Sequence, residues 1–439
     1  MSNPNLETGH PNLSLPEIAV EDEEPSQINP SHSQSVPNLE NNSSPLFSIG
    51  IYLDEEIISV STVLHGSQRK LLIHDEPAKL YFGVGEIQIG NNIPKDEAGC
   101  SFNSFNLYSL IKEPSTGRDI FTGLALSSED ILTEYFKQLG HQVMGIANNN
   151  NIDNTVLTVP FLLSSLKKKR IKTSMQNAGF QKLRICPSFV TTGVTYKRDS
   201  RIKIPLAVNE RSRVSVILVI HASHTTFSMA IIKVGHKYIT PADIVGPIVP
   251  LRDTQIFISC QQKLFTNKKL SEMELKFIKP IYEEAFNRLR PKVKPENGIL
   301  VQKYKNQSEL KALITSLCTR INYTTKSVVG GPLAGAALFA SQPNLTLYGL
   351  SRMSLSIGSA REDIKKHLNI NLPFVPGWGF VQPVLPSNEQ EYVVREVIPG
   401  GKLFSNVGTY KIVHQNDKDF IIEIDEDGII TVSTNPILQ

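Results

Sequence analysis

Two short polar turns carry the side chains of this 439-residue chain best suited to chemistry. The first lies in FSIGIYLDEEIISVSTVL, where Asp54 and Glu55 sit near the turn of an alternating, hairpin-like segment. The second is HASHTT, His221 to Thr226, between the apolar runs VSVILVI and FSMAIIKV. Both runs are rich in β-branched and aromatic residues at strand length, so Val214 to Val234 reads as strand, turn, strand. A phosphate-binding turn needs glycines, because its backbone amides must approach the anion without Cβ obstruction. It also needs a carboxylate for the accompanying magnesium. HASHTT supplies neither.

Other chemistries fit this turn less well. His221 and His224 could share a metal ion, but no third ligand lies within sequence reach, and polar replacements in a relaxed loop are the favoured reading. Ser223 beside His224 does not make a nucleophile and base, because nothing aims the imidazole and no nucleophile elbow surrounds the serine. VGGPLAGAA at Val329 to Ala337 lacks the Lys and Ser/Thr of a phosphate loop and reads as a tightly packed helix start.

The elements that must position these turns alternate between strand and helix. Asn154 to Pro160 reads as a buried strand, Phe161 to Ala178 as a basic amphipathic helix, and Leu183 to Cys186 as a strand. A helix at about Ser127 to Leu139 opens with SSED, which offers a capping serine and acids at the positive helix end. Glu272 to Leu289, Ser308 to Leu317 and Gly331 to Ala340 read as helices, and Gly298 to Val301 as a strand. This order implies an α/β domain with a mainly covered sheet. Beyond Ser341 the segments turn β-like, closing in FIIEIDEDGIITVST, where DEDG at Asp425 to Gly428 signals a hairpin. The expected organisation is a disordered, Asn/Ser/Pro/Glu-rich tail over 1–45, an α/β region over 46–340, a linker over 341–352 and a small all-β domain over 353–439.

Net charge of +3 is too slight to imply a nucleic-acid partner. KKKR at Lys167 to Arg170 reads as a solvated helix face, with ribosomal RNA as a weaker alternative contact. Cys100, Cys186, Cys260 and Cys318 show no metal-ligand spacing and suit a reducing compartment. No signal core and no run of roughly 18 apolar residues occurs, so the expectation is a cytoplasmic chain without a membrane partner.

A hairpin near Gly50, then LTVPFLLSSLKKKRIKTSMQNAGFQKLRI, a second hairpin and a β-domain closed by IDEDGIITVS make an order of segments that resembles the DnaK-type heat-shock chaperone family. Leu157, Thr158, Val159, Pro160, Ala178, Gly179, Leu183, Arg184 and Ile185 keep the skeleton of a pattern close to ITVPAYFxxxQRxAxxxAGxxxxxxLRI. EIDEDGIITVST at Glu423 to Thr434 matches FDIDANGILxVSA, and SLSIG at Ser354 to Gly358 is similar to SLGIE. The resemblance covers nearly everything from Leu46 onward. It implies an actin-like two-lobed ATPase fold with a shortened second lobe, about 60 residues separating Val234 from Ile299, followed by a β-sandwich. It further implies that the helical lid is missing, because the chain ends at Gln439.

Set against the family's site motifs, this chain departs at every one. GIDLGTT becomes GIYLDEE, with Tyr52 in the place of an acid and Asp54 in that of a glycine. In the second hairpin His221 replaces an acid, and Ser223, His224 and Thr225 replace three glycines. Gln302 and Lys303 replace the glycines of the adenosine-side motif, and SFVTTG from Ser188 replaces an interlobe motif that begins with an acid. LTLYGL at Leu345 to Leu350 stands where the family linker carries an aspartate.

The expectation is therefore a chain with no cofactor and no ATPase activity. It looks most like the chaperone-type subunit of the ribosome-associated complex, which pairs with a zuotin-type J-domain protein and acts on nascent polypeptide at the ribosome. Trp378, Leu355 and Ile357 are candidate partner contacts in the β-domain. Two alternatives stay open. One is a divergent actin-fold ATPase using Asp54, Asp243 or other acids for magnesium, and the other an ATP-independent holdase that grips unfolded peptide.

Overall fold

The computed structural model describes residues 47–63, 69–82, 87–93, 104–112, 117–118, 125–147, 152–160, 163–198, 214–235, 238–248, 253–289, 295, 297–302, 307–320, 325–329, 331–342, 346–347, 354–359, 379–382, 391–397, 406–413, 420–425, 427 and 429–434. The tail over 1–45, the asparagine run at 148–151, Lys303 and Trp378 lie outside them. The described residues form a mixed α/β structure.

The chain opens with strands β1 (Phe47–Leu53), β2 (Ile57–Val63) and β3 (Arg69–Pro77). A small sheet of β4 (Lys79–Phe82), β5 (Ile87–Ile89) and β6 (Ser104–Asn106) follows, then helix α1 (Leu107–Lys112) and the short pair β7 (Gly117–Arg118) and β8 (Ala125–Leu126). Helix α2 (Ser128–Ile146), strand β9 (Ile152–Val159), helix α3 (Ser165–Asn177), strand β10 (Lys182–Pro187) and helix α4 (Ser188–Arg198) complete the first half. Ser127 caps α2 in a reciprocal capping box with Asp130, so two amides at the helix start are satisfied where SSED predicts it. The helix runs seven residues past the expected Leu139, because Leu139 and Val143 continue its buried stripe.

The second half repeats the first. Strands β11 (Ser215–Ala222), β12 (Phe227–Val234) and β13 (Tyr238–Ile248) make an antiparallel meander. Helices α5 (Thr254–Phe265) and α6 (Glu272–Arg288), strand β14 (Asn297–Gln302), helix α7 (Ser308–Arg320), strand β15 (Thr325–Val329) and helix α8 (Gly331–Ala340) follow. The first sheet has the order β10-β9-β1-β2-β3, with β9 parallel to β1 and β10 parallel to β9. In the second, β15-β14-β11-β12-β13, the strands β14 and β15 are added in parallel on the same side of the leading strand. One five-strand arrangement thus occurs twice.

Three apolar clusters show how the layers stack. Ile49, Ile51 and Leu53 of β1 pack with side chains of α1, α2 and α3 on the outer face of the first sheet. Val216, Leu218 and Ile220 of β11 pack with α5, α6 and α7 on the outer face of the second. Between the sheets lie α4 and α8, whose Phe189, Val190, Ala336 and Phe339 share a cluster with Val156, Ile217 and Val219. Each crosses over: α4 follows the first sheet yet packs on β11, β12 and β13, and α8 follows the second yet packs on β1, β2 and β9. The small residues of α8 make this possible. A Cβ on Gly335 would collide with the Thr191 carbonyl of α4, and one on Gly50 of β1 would collide with the α8 backbone at Ala336 and Ala337. Thr195 fastens the crossing by donating to the Gly331 carbonyl at 2.5 Å.

Within the stretch expected as a linker, β16 (Thr346–Leu347) pairs in parallel with β13 and adds a sixth strand to the second sheet. Strands β17 (Ser354–Ser359), β18 (Gly379–Gln382), β19 (Glu391–Val397), β20 (Asn406–Val413), β21 (Phe420–Ile424) and β22 (Ile430–Thr434) form two three-stranded antiparallel sheets, β17-β19-β20 and β18-β21-β22. The DEDG signal falls between the paired strands β21 and β22. Among the described residues, no helix is long and apolar enough to cross a membrane.

Candidate functional site

The two polar turns meet. Successive side chains of a strand point to opposite faces, so Gly50 and Tyr52 face away from the outer cluster that takes Ile49, Ile51 and Leu53. By the same alternation His221 shares the inner face of Ile217 and Val219. Tyr52 and His221 are each the penultimate residue of the leading strand of a sheet, and the duplication brings them together. The Tyr52 hydroxyl lies 3.0 Å from His221 Nε2, and both residues are buried. His221 therefore belongs to β11, paired with Ser228, and not to the turn where the sequence reading put it. The apolar run extends one polar residue further because that residue has a buried partner.

Burial pushes the His221 imidazole down to about 4, so it is neutral. Burial also holds the Tyr52 phenol well above its ordinary range, with the charge of Asp54 and a hydrogen bond to it adding to the effect. A tautomer with hydrogen on Nε2 satisfies the set: His221 donates to Tyr52, and Tyr52 donates to Asp54. Asp54 is itself buried, and its carboxylate accepts from the Glu55 amide at 2.8 Å.

Glu55 makes the densest contact. Its Oε1 accepts from the Ser223 hydroxyl at 2.7 Å and the Thr225 hydroxyl at 2.5 Å, and its Oε2 accepts from the Thr225 backbone N–H at 3.1 Å. The receiving turn is braced from within: the Thr226 N–H donates to Ser223 Oγ at 3.1 Å, and the Ser223 N–H to the Thr226 carbonyl at 2.9 Å. Burial raises the Glu55 carboxyl, while the hydrogen bonds from Thr225 and Ser223 oppose that rise. Tyr108 of α1 also hydrogen-bonds Glu55, and burial followed by the Glu55 charge pushes its phenol up. His224 lies 3.6 Å from the Glu56 carboxylate and packs against Phe265 with ring centroids 4.1 Å apart and the rings tilted by 51°.

The remaining site residues are placed as follows. Ser188 opens α4, fully buried, and its Oγ has no hydrogen-bond partner among the described residues. Its carbonyl accepts from the hydroxyls of Thr191 and Thr192. Gln302 ends β14 opposite Val329. Leu355 and Ile357 lie in β17, opposite Glu396 and Val394 of β19. Asp243 pairs with Ile231, four residues along β12 from the turn, and accepts from the Ile244 N–H at 2.9 Å. Four residues of strand span about 13 Å, so it does not join Asp54. Among the described residues no group of three His, Cys, Asp or Glu is placed to hold a metal ion.

A second polar cluster joins the closing β-hairpin to the first half. Asp427, with no exposed surface, accepts from Arg184 Nε at 2.9 Å, the Ile185 N–H at 3.1 Å and Lys172 Nζ at 2.6 Å. Lys168, which is 1% exposed, donates to the Asp427 carbonyl at 2.7 Å. Asp425 accepts from Lys172 at 3.2 Å and from the amides of Asp427 and Ile429. Burial opposes the charge of Lys172, but Asp427 and Asp425 outweigh it and hold its pKa above the ordinary value. The reading of Lys167 to Arg170 as a solvated face is thus corrected at Lys168, while Lys169 is exposed. Lys168 and Lys172 stand one helical turn apart on the face of α3 that meets the acidic hairpin.

Tyr108 and Asp427 are residues that sequence reasoning passed over, and Glu55 was noted near its turn but given no partner. Glu55 carried a signal, an acid in a turn opposite a hydroxyl-rich turn, but the pairing needed the tertiary fold. No family model matches the chain, and no curated protein matches it significantly.

Proposed function

We propose that this chain is a non-catalytic, chaperone-like scaffold of the DnaK type, built on an actin-like two-lobed fold. In this reading it binds a zuotin-type J-domain protein and, through that partner, the ribosome, where it assists the folding of nascent polypeptide in the cytoplasm. The doubled five-strand order with crossed helices α4 and α8 between the sheets supports the actin-like reading. The observation that carries the non-catalytic part is the junction of the two hairpins. Tyr52 and Glu55 reach from the first into His221, Ser223 and Thr225 of the second, at the positions that the family resemblance assigns to magnesium and phosphate. A carboxylate already bonded to the amide and hydroxyls of this turn opposes a phosphate there by charge and by occupancy.

Two measurements test the reading. Calorimetric titration of the purified chain with magnesium-ATP should give no heat of binding, and micromolar affinity or turnover would favour the divergent ATPase instead. Affinity purification should recover a J-domain protein in stoichiometric amount together with ribosomes. Recovery of neither, with tight binding of unfolded peptide by the chain alone, would favour the holdase.

A further inference from the structure

The same junction has a mechanical meaning that does not rest on the chaperone reading. The two sheets are separate bodies with their own outer helices and outer cores, and α4 and α8 form the packed layer between them. At the hairpin end of this layer, polar contacts span from one half to the other. These are Glu55 with Ser223 and Thr225, Tyr52 with His221, and Glu56 with His224. We propose that Glu55 is a built-in latch: an internal anion, supplied by the first hairpin, that occupies the turn of the second and holds the two halves closed without any bound ligand.

Three features argue for a latch and against incidental polar contact. Glu55 is 6% exposed, and a carboxylate is retained at such burial only where its lone pairs are used. Here they accept one backbone and two hydroxyl donors from a single turn, the donor set with which proteins hold an oxyanion. The turn is also preformed, since Ser223 and Thr226 are bonded to each other through main chain and side chain, so the anion meets fixed donors. Finally, the contact is long-range, 168 residues separating Glu55 from Ser223, so its loss frees the halves to move without breaking either hairpin.

The test is the distance between the halves. Spin labels at Lys169→Cys on α3 and Lys276→Cys on α6, both exposed, report it once Cys100 is replaced by serine, because Cys186, Cys260 and Cys318 are buried. The full chain should give one narrow distance distribution that added magnesium-ATP leaves unchanged. Glu55→Ala should broaden it at least twofold and raise exchange of the Thr225 amide about tenfold. Should Glu55→Ala fail to fold, the double variant Ser223→Ala, Thr225→Val removes the hydroxyl donors from the other side, and the same broadening is expected. An unchanged distribution in a folded variant overturns the latch, as does a wild-type distribution that narrows only when magnesium-ATP is added. Failure to recover a J-domain protein would defeat the functional reading and leave these outcomes untouched.

Discussion

Replacing Asp427 with alanine removes a carboxylate that three donors share, and its effect can be worked from the geometry. Arg184 and Lys172 give it charge-assisted bonds at 2.9 and 2.6 Å, and the Ile185 amide a third at 3.1 Å. Removing one member of a buried ion pair costs about 3–5 kcal/mol, because the remaining charge is left without a partner. Here Lys172 and Arg184 keep 24% and 26% of their side-chain surface, so both regain some water, and Lys172 keeps Asp425. The Ile185 amide, in the middle of a buried strand end, regains none. A loss of about 2–3 kcal/mol is therefore expected in urea unfolding followed by far-UV circular dichroism. Lys172→Met in the Asp427→Ala background should cost less than it does alone, with a coupling of about 1 kcal/mol. A loss below about 0.5 kcal/mol, with no coupling, would refute the claim that the closing hairpin is anchored on α3 and β10.

Four further outcomes follow from the fold. His221 is held near 4 in the folded chain against an ordinary 6.5, so the unfolded chain binds its proton more tightly between those values. Its contribution is fully present above pH 6.5 and lost as pH falls toward 4, about 3 kcal/mol in all. Subtracting the stability profile of His221→Gln from that of the wild type should show this slope, and a flat difference would contradict a buried neutral imidazole. Gly50→Ala should cost more than about 3 kcal/mol or abolish folding, since its Cβ would enter the α8 backbone. Gly145→Ala, with open space around it in α2, should gain about 0.5 kcal/mol; melting temperatures of the two read both. Ser127→Ala should lower stability by about 1 kcal/mol through loss of the α2 cap, measured by the same unfolding curves.

Much of the local structure was legible because its causes are local. Apolar alternation placed β1 and β2, continuous β-branched runs placed β11 and β12, SSED placed the start of α2, and the small residues of Gly331 to Ala340 announced a close-packed helix. The ends of elements were less legible where packing extends them, as when Val143 carries α2 beyond Leu139. Lys168 was misread because burial of a lysine depends on an acceptor 259 residues away. The segment over 341–352 reads as a linker by composition, yet β13 offers an edge to which Thr346 and Leu347 can bond.

By itself the sequence determined that the turn at residues 223–226 lacks the glycines and the acid of a phosphate loop, because those requirements are written in residue type. It also determined that two hairpins lead two runs of alternating strands and helices. Only the tertiary structure decided what fills the space between the turns. The duplication of the five-strand order brings the ends of β1 and β11 face to face, and a pairing such as Glu55 with Ser223 and Thr225 exists only once both sheets are docked through α4 and α8. No spacing in the chain encodes that meeting, since the energy of a buried carboxylate is set by the donors the fold delivers to it.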